Sequence, residues 1–164
     1  MSTEPLELLL ADDDDGHAFL VERTFARAGI VNRIARAQDG QEALDYVYCR
    51  GKFSNRHSGA PLLLLLDINM PRVDGIEVLE KIKSDEVMAK LPIIMLTTTD
   101  DPREIRRCYQ LGCNVYVTKP VEYDDFVEAV KRLGLFLQVV QLPNESKNDG
   151  TQRTIAAQGI HSGR

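Results

Sequence analysis

Short apolar runs alternate along the chain with longer segments in which apolar residues recur every three or four positions. The runs have the length of β-strands, and the segments between them have the period of amphipathic helices. Five repeats of a strand followed by a helix predict parallel strands joined by right-handed crossovers. The five runs, in chain order, are LELLLA, RIARA, LLLLL, LPIIML and NVYVT.

The apolar content of the runs indicates where each strand lies in the sheet. The first, third and fourth runs are the most apolar and are expected at the centre, whereas RIARA is expected at an edge. A doubly wound five-stranded parallel sheet with the order 2-1-3-4-5, a flavodoxin-like α/β fold, fits this pattern, although the pattern leaves other doubly wound orders open. In that order, ligands bind at the carboxyl ends of strands 1 and 3, where the winding changes direction.

Polar residues follow four of the five runs at their carboxyl ends. Asp12 and Asp13 follow the first strand, Asp67 the third, Thr97 the fourth and Lys119 the fifth. Each has an ordinary explanation, such as an acidic start of a helix or a solvated loop residue. Four strand ends that carry polar or charged side chains at one edge of the sheet nevertheless favour a functional site.

The chemistry of this set indicates phosphoryl transfer. Three crowded carboxylates cannot all stay ionised without a counter-ion, and carboxylate oxygens with a main-chain oxygen from Asn69 suit Mg²⁺. Asp67 is then the candidate nucleophile, which would form an acyl phosphate. The hydroxyl of Thr97 and the ammonium of Lys119 would bind the phosphoryl oxygens as charge shifts.

Chain length, net charge and the length of the apolar runs limit the class of protein. The 164 residues suffice for one domain, and a net charge of -5 gives no support for nucleic-acid binding. No apolar run is long enough to span a bilayer, so a cytoplasmic protein without a membrane partner is expected. Residues 1–142 are predicted to fold, whereas the polar, aperiodic residues 143–164 are predicted to be a disordered tail.

Cysteines and histidines add little to this hypothesis. Cys49, Cys108 and Cys113 have neither zinc-site nor disulfide spacing, so we interpret them as small apolar core residues. The three histidines, at positions 17, 57 and 161, are scattered and are interpreted as surface residues.

From about Leu6 to Leu142 the chain resembles the receiver domain of two-component response regulators, and four motifs carry the resemblance. They are LLLADDD, LLLLLDINMPRVDG, IIMLTTTDD and VYVTKP. The resemblance implies that Asp12 and Asp13 bind Mg²⁺ with Asp67 and the carbonyl of Asn69. It also implies that Asp67 accepts a phosphoryl group from a kinase histidine, and that the domain catalyses only its own phosphorylation and slow dephosphorylation.

The same resemblance assigns residues outside the acidic cluster. It implies that Thr97 and Lys119 bind the phosphoryl group, that Thr97 and Tyr116 act as the switch pair, and that the bond before Pro120 is cis. Output would pass through the surface of the domain itself or through a phosphorelay.

A narrower resemblance concerns the partner. The segments DGQEALDYVYCRGKF and KPVEYDDFVEAVKRLGLF, with the loop before PLLLLLD, are similar to stand-alone regulators paired with bacterial phytochromes. This similarity implies a sensor histidine kinase, and specifically a bacterial phytochrome, as the partner.

Three alternatives remain open at this level. Four consecutive acidic residues, 12–15, mean that a shift by one would change the metal pair. A phosphohydrolase of the haloacid-dehalogenase type would need a second acid where this chain has Asn69. An inert scaffold would not need the complete acidic, threonine and lysine set.

The last helix predicts self-association. It begins near Glu122 and continues beyond Leu133 as GLFLQVVQL, which is more apolar than one buried stripe requires. We expect a symmetric homodimer through helix 4, strand 5 and helix 5. The alternative is a helix end or arm that folds back on its own domain.

Overall fold

The structure is a computed structural model that describes residues 5–139, with the side chains of residues 136–139 excepted. The predicted tail at residues 143–164, and the apolar side chains Phe136 and Val140 of the predicted dimer patch, lie outside this description. The elements are β1 (Glu7–Ala11), α1 (Asp15–Arg27), β2 (Ile34–Ala37), α2 (Gly40–Val47), a 3₁₀ turn (Gly51–Phe53), β3 (Leu62–Leu66), α3 (Gly75–Ser84), β4 (Ile93–Thr97), α4 (Pro102–Leu111), β5 (Val115–Thr118) and α5 (Tyr123–Val139).

The five strands form one parallel sheet with the order β2-β1-β3-β4-β5. This order confirms the predicted doubly wound α/β fold. The five leucines of β3 are all buried because helices cover both faces of the central strands. Leu64 and Leu66 pack in the cluster formed with α2 and α3, whereas Leu63 and Leu65 pack in the cluster formed with α1 and α5.

Aspartates cap the N-termini of four helices. Each of these four aspartates lies after the carboxyl end of a strand, at the same edge of the sheet. Each side chain accepts a hydrogen bond from a main-chain N–H in the first turn, which satisfies a donor that has no partner within the helix. The capping residues are Asp14, Asp39, Asp74 and Asp101.

Two further observations bear on the sequence-based predictions. No peptide bond among residues 5–139 is cis, so the bond between Lys119 and Pro120 is trans. The predicted cis bond was therefore wrong; the two isomers of a bond before proline differ by only about 0.5–1 kcal/mol, so the motif alone does not fix the isomer. Within the described residues, no helix has the length and apolarity needed to cross a bilayer.

Candidate functional site

Three carboxylates meet at the carboxyl ends of β1 and β3. Ala11 pairs with Leu66 at the ends of these adjacent strands, so the residues that follow them are brought side by side. Asp12 and Asp67 are buried, whereas Asp13 is exposed. One carboxylate oxygen from each of the three lies within 4.8 Å of the others. This is a compact, oxygen-only donor set of the kind that hard divalent cations prefer.

The two remaining acids of the DDDD run have other partners. Asp14 caps α1 by accepting a hydrogen bond from the main-chain N–H of His17 at 3.0 Å. Asp15 lies 2.7 Å from Arg36, which also donates to the main-chain oxygen of Asp12 at 3.1 Å. The geometry therefore favours Asp12 and Asp13 over a pair shifted by one. The sequence did not identify Arg36 as a residue near the site, because the RIARA pattern indicates only an edge strand.

Lys119 supplies the cation beside the buried acids. Its side chain is 1% exposed, and its Nζ lies 2.5 Å from Asp12 Oδ2 and 3.3 Å from Asp67 Oδ2. Burial raises the pKa of Asp12 above its ordinary value, although the nearby ammonium of Lys119 opposes the shift. Desolvation of this carboxylate is thus only partly offset by the lysine, which leaves the site able to gain from a second cation.

Two buried oxygens in the site have no hydrogen-bond partner among the described residues. They are Asp67 Oδ1 and Thr97 Oγ1. A buried polar atom without a partner costs about 1–3 kcal/mol, so proteins rarely leave one unsatisfied without a functional reason. The unpaired carboxylate oxygen fits a metal ion or a bond to an incoming group, and the unpaired hydroxyl fits a ligand oxygen.

The backbone behind Asp67 is held by close packing. Gly75 donates its N–H to Ile68 O at 2.8 Å, and a Cβ added at Gly75 would lie 2.0 Å from the main-chain oxygen of Asp67. Only glycine allows α3 to begin this near the strand end. Asn69 follows in the same connection, and its side-chain nitrogen lies 3.4 Å from Thr99 Oγ1, so the loops after β3 and β4 meet.

Tyr116 connects β5 to the loop after β4. Its hydroxyl donates to the main-chain oxygen of Thr99 at 2.5 Å, and its main-chain N–H donates to the hydroxyl of Tyr109 on α4 at 3.0 Å. Burial raises the pKa of the Tyr116 hydroxyl to about 12. The side chain is partly buried against the core cluster that contains α2, α3 and Cys108. Tyr116 therefore bonds both the loop near Thr97 and the helix beside it.

His17 also belongs to the site, although the sequence suggested an ordinary surface residue. Its Nδ1 lies 3.2 Å from Lys119 Nζ, and its ring lies 5.2 Å from that of Phe126. The available signal was its position in the first turn of a helix that begins at the acidic strand end. His57 is exposed, and His161 lies outside the described part of the chain. Cys108 and Cys113 are buried as predicted, and Cys49 is half-buried.

A match over most of the chain shows its family. A sequence model of the response regulator receiver domain matches residues 8–131. The chain belongs to this family. Receiver domains are phosphoacceptor switches that pair with histidine kinases and bind Mg²⁺ at an acidic pocket. The Asp12, Asp13 and Asp67 cluster of this receiver domain fits a divalent metal ion.

Curated relatives of this receiver domain include two regulators. The chain is 36% identical over 134 residues to the probable methanogenesis regulatory protein FilR2 of Methanothrix harundinacea, covering 79% of this chain and 82% of that protein. It is 32% identical over 143 residues to response regulator Rcp1 of Synechocystis sp., covering 87% of this chain and 96% of Rcp1.

Solved receiver domains share the fold over nearly their whole length. A receiver domain from Rhodospirillum rubrum is 45% identical, with a TM-score of 0.77, and the match covers 84% of this chain and 97% of that one. The Mn²⁺-bound form of Rcp1 is 31% identical, with a TM-score of 0.78 and coverages of 85% and 99%. The phosphorylated cyanobacterial phytochrome response regulator RcpA is 30% identical, with a TM-score of 0.77 and coverages of 87% and 99%.

Proposed function

We propose that this receiver domain takes a phosphoryl group from a kinase histidine onto Asp67 in an Mg²⁺-dependent reaction. The observation that carries the proposal is the buried, unpaired Asp67 Oδ1. The other oxygen of this carboxylate lies 3.3 Å from the Lys119 ammonium, and the carboxylates of Asp12 and Asp13 are close by. An oxygen without a hydrogen bond is free to act as a nucleophile. The nearby Lys119 ammonium reduces its repulsion from an anionic phosphoryl group.

In the transfer step, an oxygen of the Asp67 carboxylate forms a bond to phosphorus while the bond from phosphorus to the kinase imidazole nitrogen breaks. The electron pair of that bond stays on the imidazole. Lys119 and the hydroxyl of Thr97 bind the phosphoryl oxygens. Asp12, Asp13, Asp67 and the carbonyl of Asn69 would hold Mg²⁺, and the bound ion would supply positive charge that offsets the negative charge of the site.

The test is phosphorylation by acetyl phosphate with Mg²⁺, followed by intact mass measurement. We expect the mass of one added phosphoryl group, and we expect Asp67→Asn or EDTA to abolish it. Asp45→Asn, which changes an acid on α2 away from the site, is the matched control and should retain labelling. Labelling of Asp67→Asn at the wild-type level would contradict the assignment of the phosphoacceptor.

In this proposal the only reactions that the domain catalyses are those of its own phosphoryl group. We infer that the chain catalyses its own phosphorylation and slow dephosphorylation, and that it does not turn over small phosphate esters. Incubation with p-nitrophenyl phosphate and Mg²⁺ should release no nitrophenol beyond the background of the Asp67→Asn variant. Multiple turnovers by the wild type would instead support a phosphohydrolase.

For the switch, we propose that phosphorylation draws Thr97 toward the phosphoryl group and turns Tyr116 inward. The supporting contact is the hydrogen bond from the Tyr116 hydroxyl to Thr99 O, which lies two residues beyond Thr97. A movement of Thr97 shifts the loop that carries Thr99 O and so disturbs this bond, which links the loop after β4 to Tyr116. Because the main-chain N–H of Tyr116 also bonds Tyr109 on α4, the loop and the surface of α4 change together. This is a shift between existing states. Beryllofluoride should change the NMR signals of Tyr116 and the α4 amides, and unchanged spectra would refute the coupling.

For the kinase, we propose a bacterial phytochrome. The support is the similarity to RcpA, a cyanobacterial phytochrome response regulator, over 99% of that chain. Radiolabelled phosphoryl transfer from a purified bacterial phytochrome kinase should be fast, and it should differ between red and far-red light. A histidine kinase without a photosensory domain is the control. Equal transfer from both kinases would remove the phytochrome assignment.

We also propose a symmetric homodimer through α4, β5 and α5. The support is a set of large apolar residues that are exposed in the single chain: Tyr109 on α4, Val121 in the loop between β5 and α5, and Tyr123 and Leu135 on α5. Val121 is 98% exposed, so Val121→Glu changes no contact within the domain. Val31, 95% exposed between α1 and β2, is the matched control position.

Sedimentation at tens of micromolar, with and without beryllofluoride, tests the dimer. The wild type and Val31→Glu should sediment as dimers, and Val121→Glu should be shifted toward monomer. The sequence-based variants Phe136→Glu and Val140→Glu should act in the same direction. Deletion of residues 143–164 should leave the dimer intact, because that segment lacks an apolar pattern. A monomeric wild type would defeat this part of the proposal.

A further inference from the structure

The Lys119 ammonium has three N–H donors, and three side-chain acceptors surround it. They are Asp12 Oδ2 at 2.5 Å, Asp67 Oδ2 at 3.3 Å and His17 Nδ1 at 3.2 Å. The first two are the carboxylates of the phosphoacceptor site. The third comes from α1, 102 residues away in the chain. The buried ammonium is therefore held from three directions, and only the histidine contact is independent of the acidic cluster.

The contact, taken as a hydrogen bond, implies one tautomer of the imidazole. An ammonium group donates hydrogen bonds and accepts none, so Nδ1 of His17 must present its lone pair and the ring proton must lie on Nε2. Asp14 is the other charged group near Nδ1, with Oδ2 at 3.7 Å. A proton on Nδ1 would suit Asp14 but would face the ammonium at 3.2 Å. The shorter distance to Lys119 favours the neutral ring with an accepting Nδ1.

The ring is held in place by both helices that flank the site. The main-chain N–H of His17 donates to the capping Asp14 at 3.0 Å, which fixes the first turn of α1. The ring packs against Phe126 of α5 with the ring centroids 5.2 Å apart. His17 is thus positioned before any ligand binds, which lowers the entropic cost of holding the lysine.

We propose that His17 is a positioning residue that holds the Lys119 ammonium toward Asp67 when Asp12 binds the metal ion. This inference rests on the proposed function. A divalent cation held by Asp12 and Asp67 would repel the ammonium and compete for the carboxylate oxygens, so metal binding would weaken the Lys119 contacts with these two ligands and not the contact with His17. The contact with His17 persists. The donor released from Asp12 is then free for a phosphoryl oxygen on Asp67.

The experiment compares two substitutions at this position. His17→Leu removes the acceptor and keeps apolar bulk against Phe126. His17→Asn keeps an acceptor oxygen near the place of Nδ1. Phe19→Leu, on the same helix and largely exposed, is the matched control. The readout is the initial rate of phosphorylation by acetyl phosphate at saturating Mg²⁺, with the melting temperature measured for each variant.

We expect His17→Leu to lower this rate about three- to tenfold, the worth of one hydrogen bond to a charged group that water partly replaces. His17→Asn and Phe19→Leu should stay within about twofold of wild type. A rate for His17→Leu within the same range would overturn the proposal. So would an equal loss in both His17 variants, because that result would show a role in packing alone.

A spectroscopic measurement separates this inference from the proposed function. Long-range ¹H–¹⁵N correlation of the wild type, at about pH 8 where an ordinary imidazole is neutral, should show His17 protonated on Nε2 only. The ¹⁵N shift of Lys119 Nζ should move in His17→Leu and less in His17→Asn. A proton on Nδ1 would overturn the inference. If the wild type has this tautomer but takes no phosphoryl group, the failure lies in the proposed phosphoacceptor role.

Discussion

Replacing Lys119 with methionine removes the ammonium from the buried site while keeping a side chain of similar length. The lysine side chain is 1% exposed, and its Nζ lies within 3.3 Å of both Asp12 and Asp67. Its loss leaves two buried carboxylates that repel each other and have lost their cation. Breaking a buried ion pair by removing one partner typically costs about 3–5 kcal/mol. We expect the free energy of unfolding of the metal-free protein to fall by that amount.

The assay is urea denaturation in EDTA at neutral pH, read by circular dichroism, with the melting temperature as a second measure. A loss of about 3–5 kcal/mol corresponds to a fall in melting temperature of about 6–20 °C for a domain of this size. Lys131→Met removes a largely exposed ion pair with Glu128 and is the control, with an expected loss below about 1 kcal/mol.

A double substitution tests the cause. Adding Asp12→Asn to Lys119→Met removes one of the two unpaired charges, so the double variant should be more stable than Lys119→Met alone. Mg²⁺ should likewise restore more stability to Lys119→Met than to wild type, because it supplies the missing positive charge. A loss below about 1 kcal/mol for Lys119→Met would refute the view that the ammonium compensates these buried acids.

Three further predictions concern the metal site, the backbone and the cysteines. Millimolar Mg²⁺ should raise the melting temperature of wild type by linkage, and Asp13→Asn should reduce that shift; an equal shift in both would exclude Asp13 as a ligand. Gly75→Ala should lower the free energy of unfolding by about 1–3 kcal/mol by pushing on the carbonyl of Asp67, as denaturation would show. Burial raises the pKa of the Cys108 thiol to about 12, so iodoacetamide at about pH 8 should modify Cys49 in the folded protein and Cys108 only after unfolding, as peptide mass mapping would reveal.

The sequence by itself determined the architecture and the composition of the strand ends. Periodicity states which residues are apolar on which face, so the five strands, the five helices and the central place of the leucine strand follow from pattern alone. The strand order then places the residues after Ala11 and Leu66 side by side. The pattern favoured this order and left other doubly wound orders open, so the convergence of Asp12, Asp13 and Asp67 was predicted from the sequence and confirmed once the order was known.

Only the tertiary structure decided which partner each polar side chain takes. It assigns Asp14 to the helix cap and Asp15 to Arg36, and it brings His17 against Lys119. It also sets a trans bond after Lys119 where the motif suggested cis. The physical reason is that these outcomes depend on rotamers and packing between segments far apart in the chain. Periodicity records the direction in which a side chain points, but not the group it meets there.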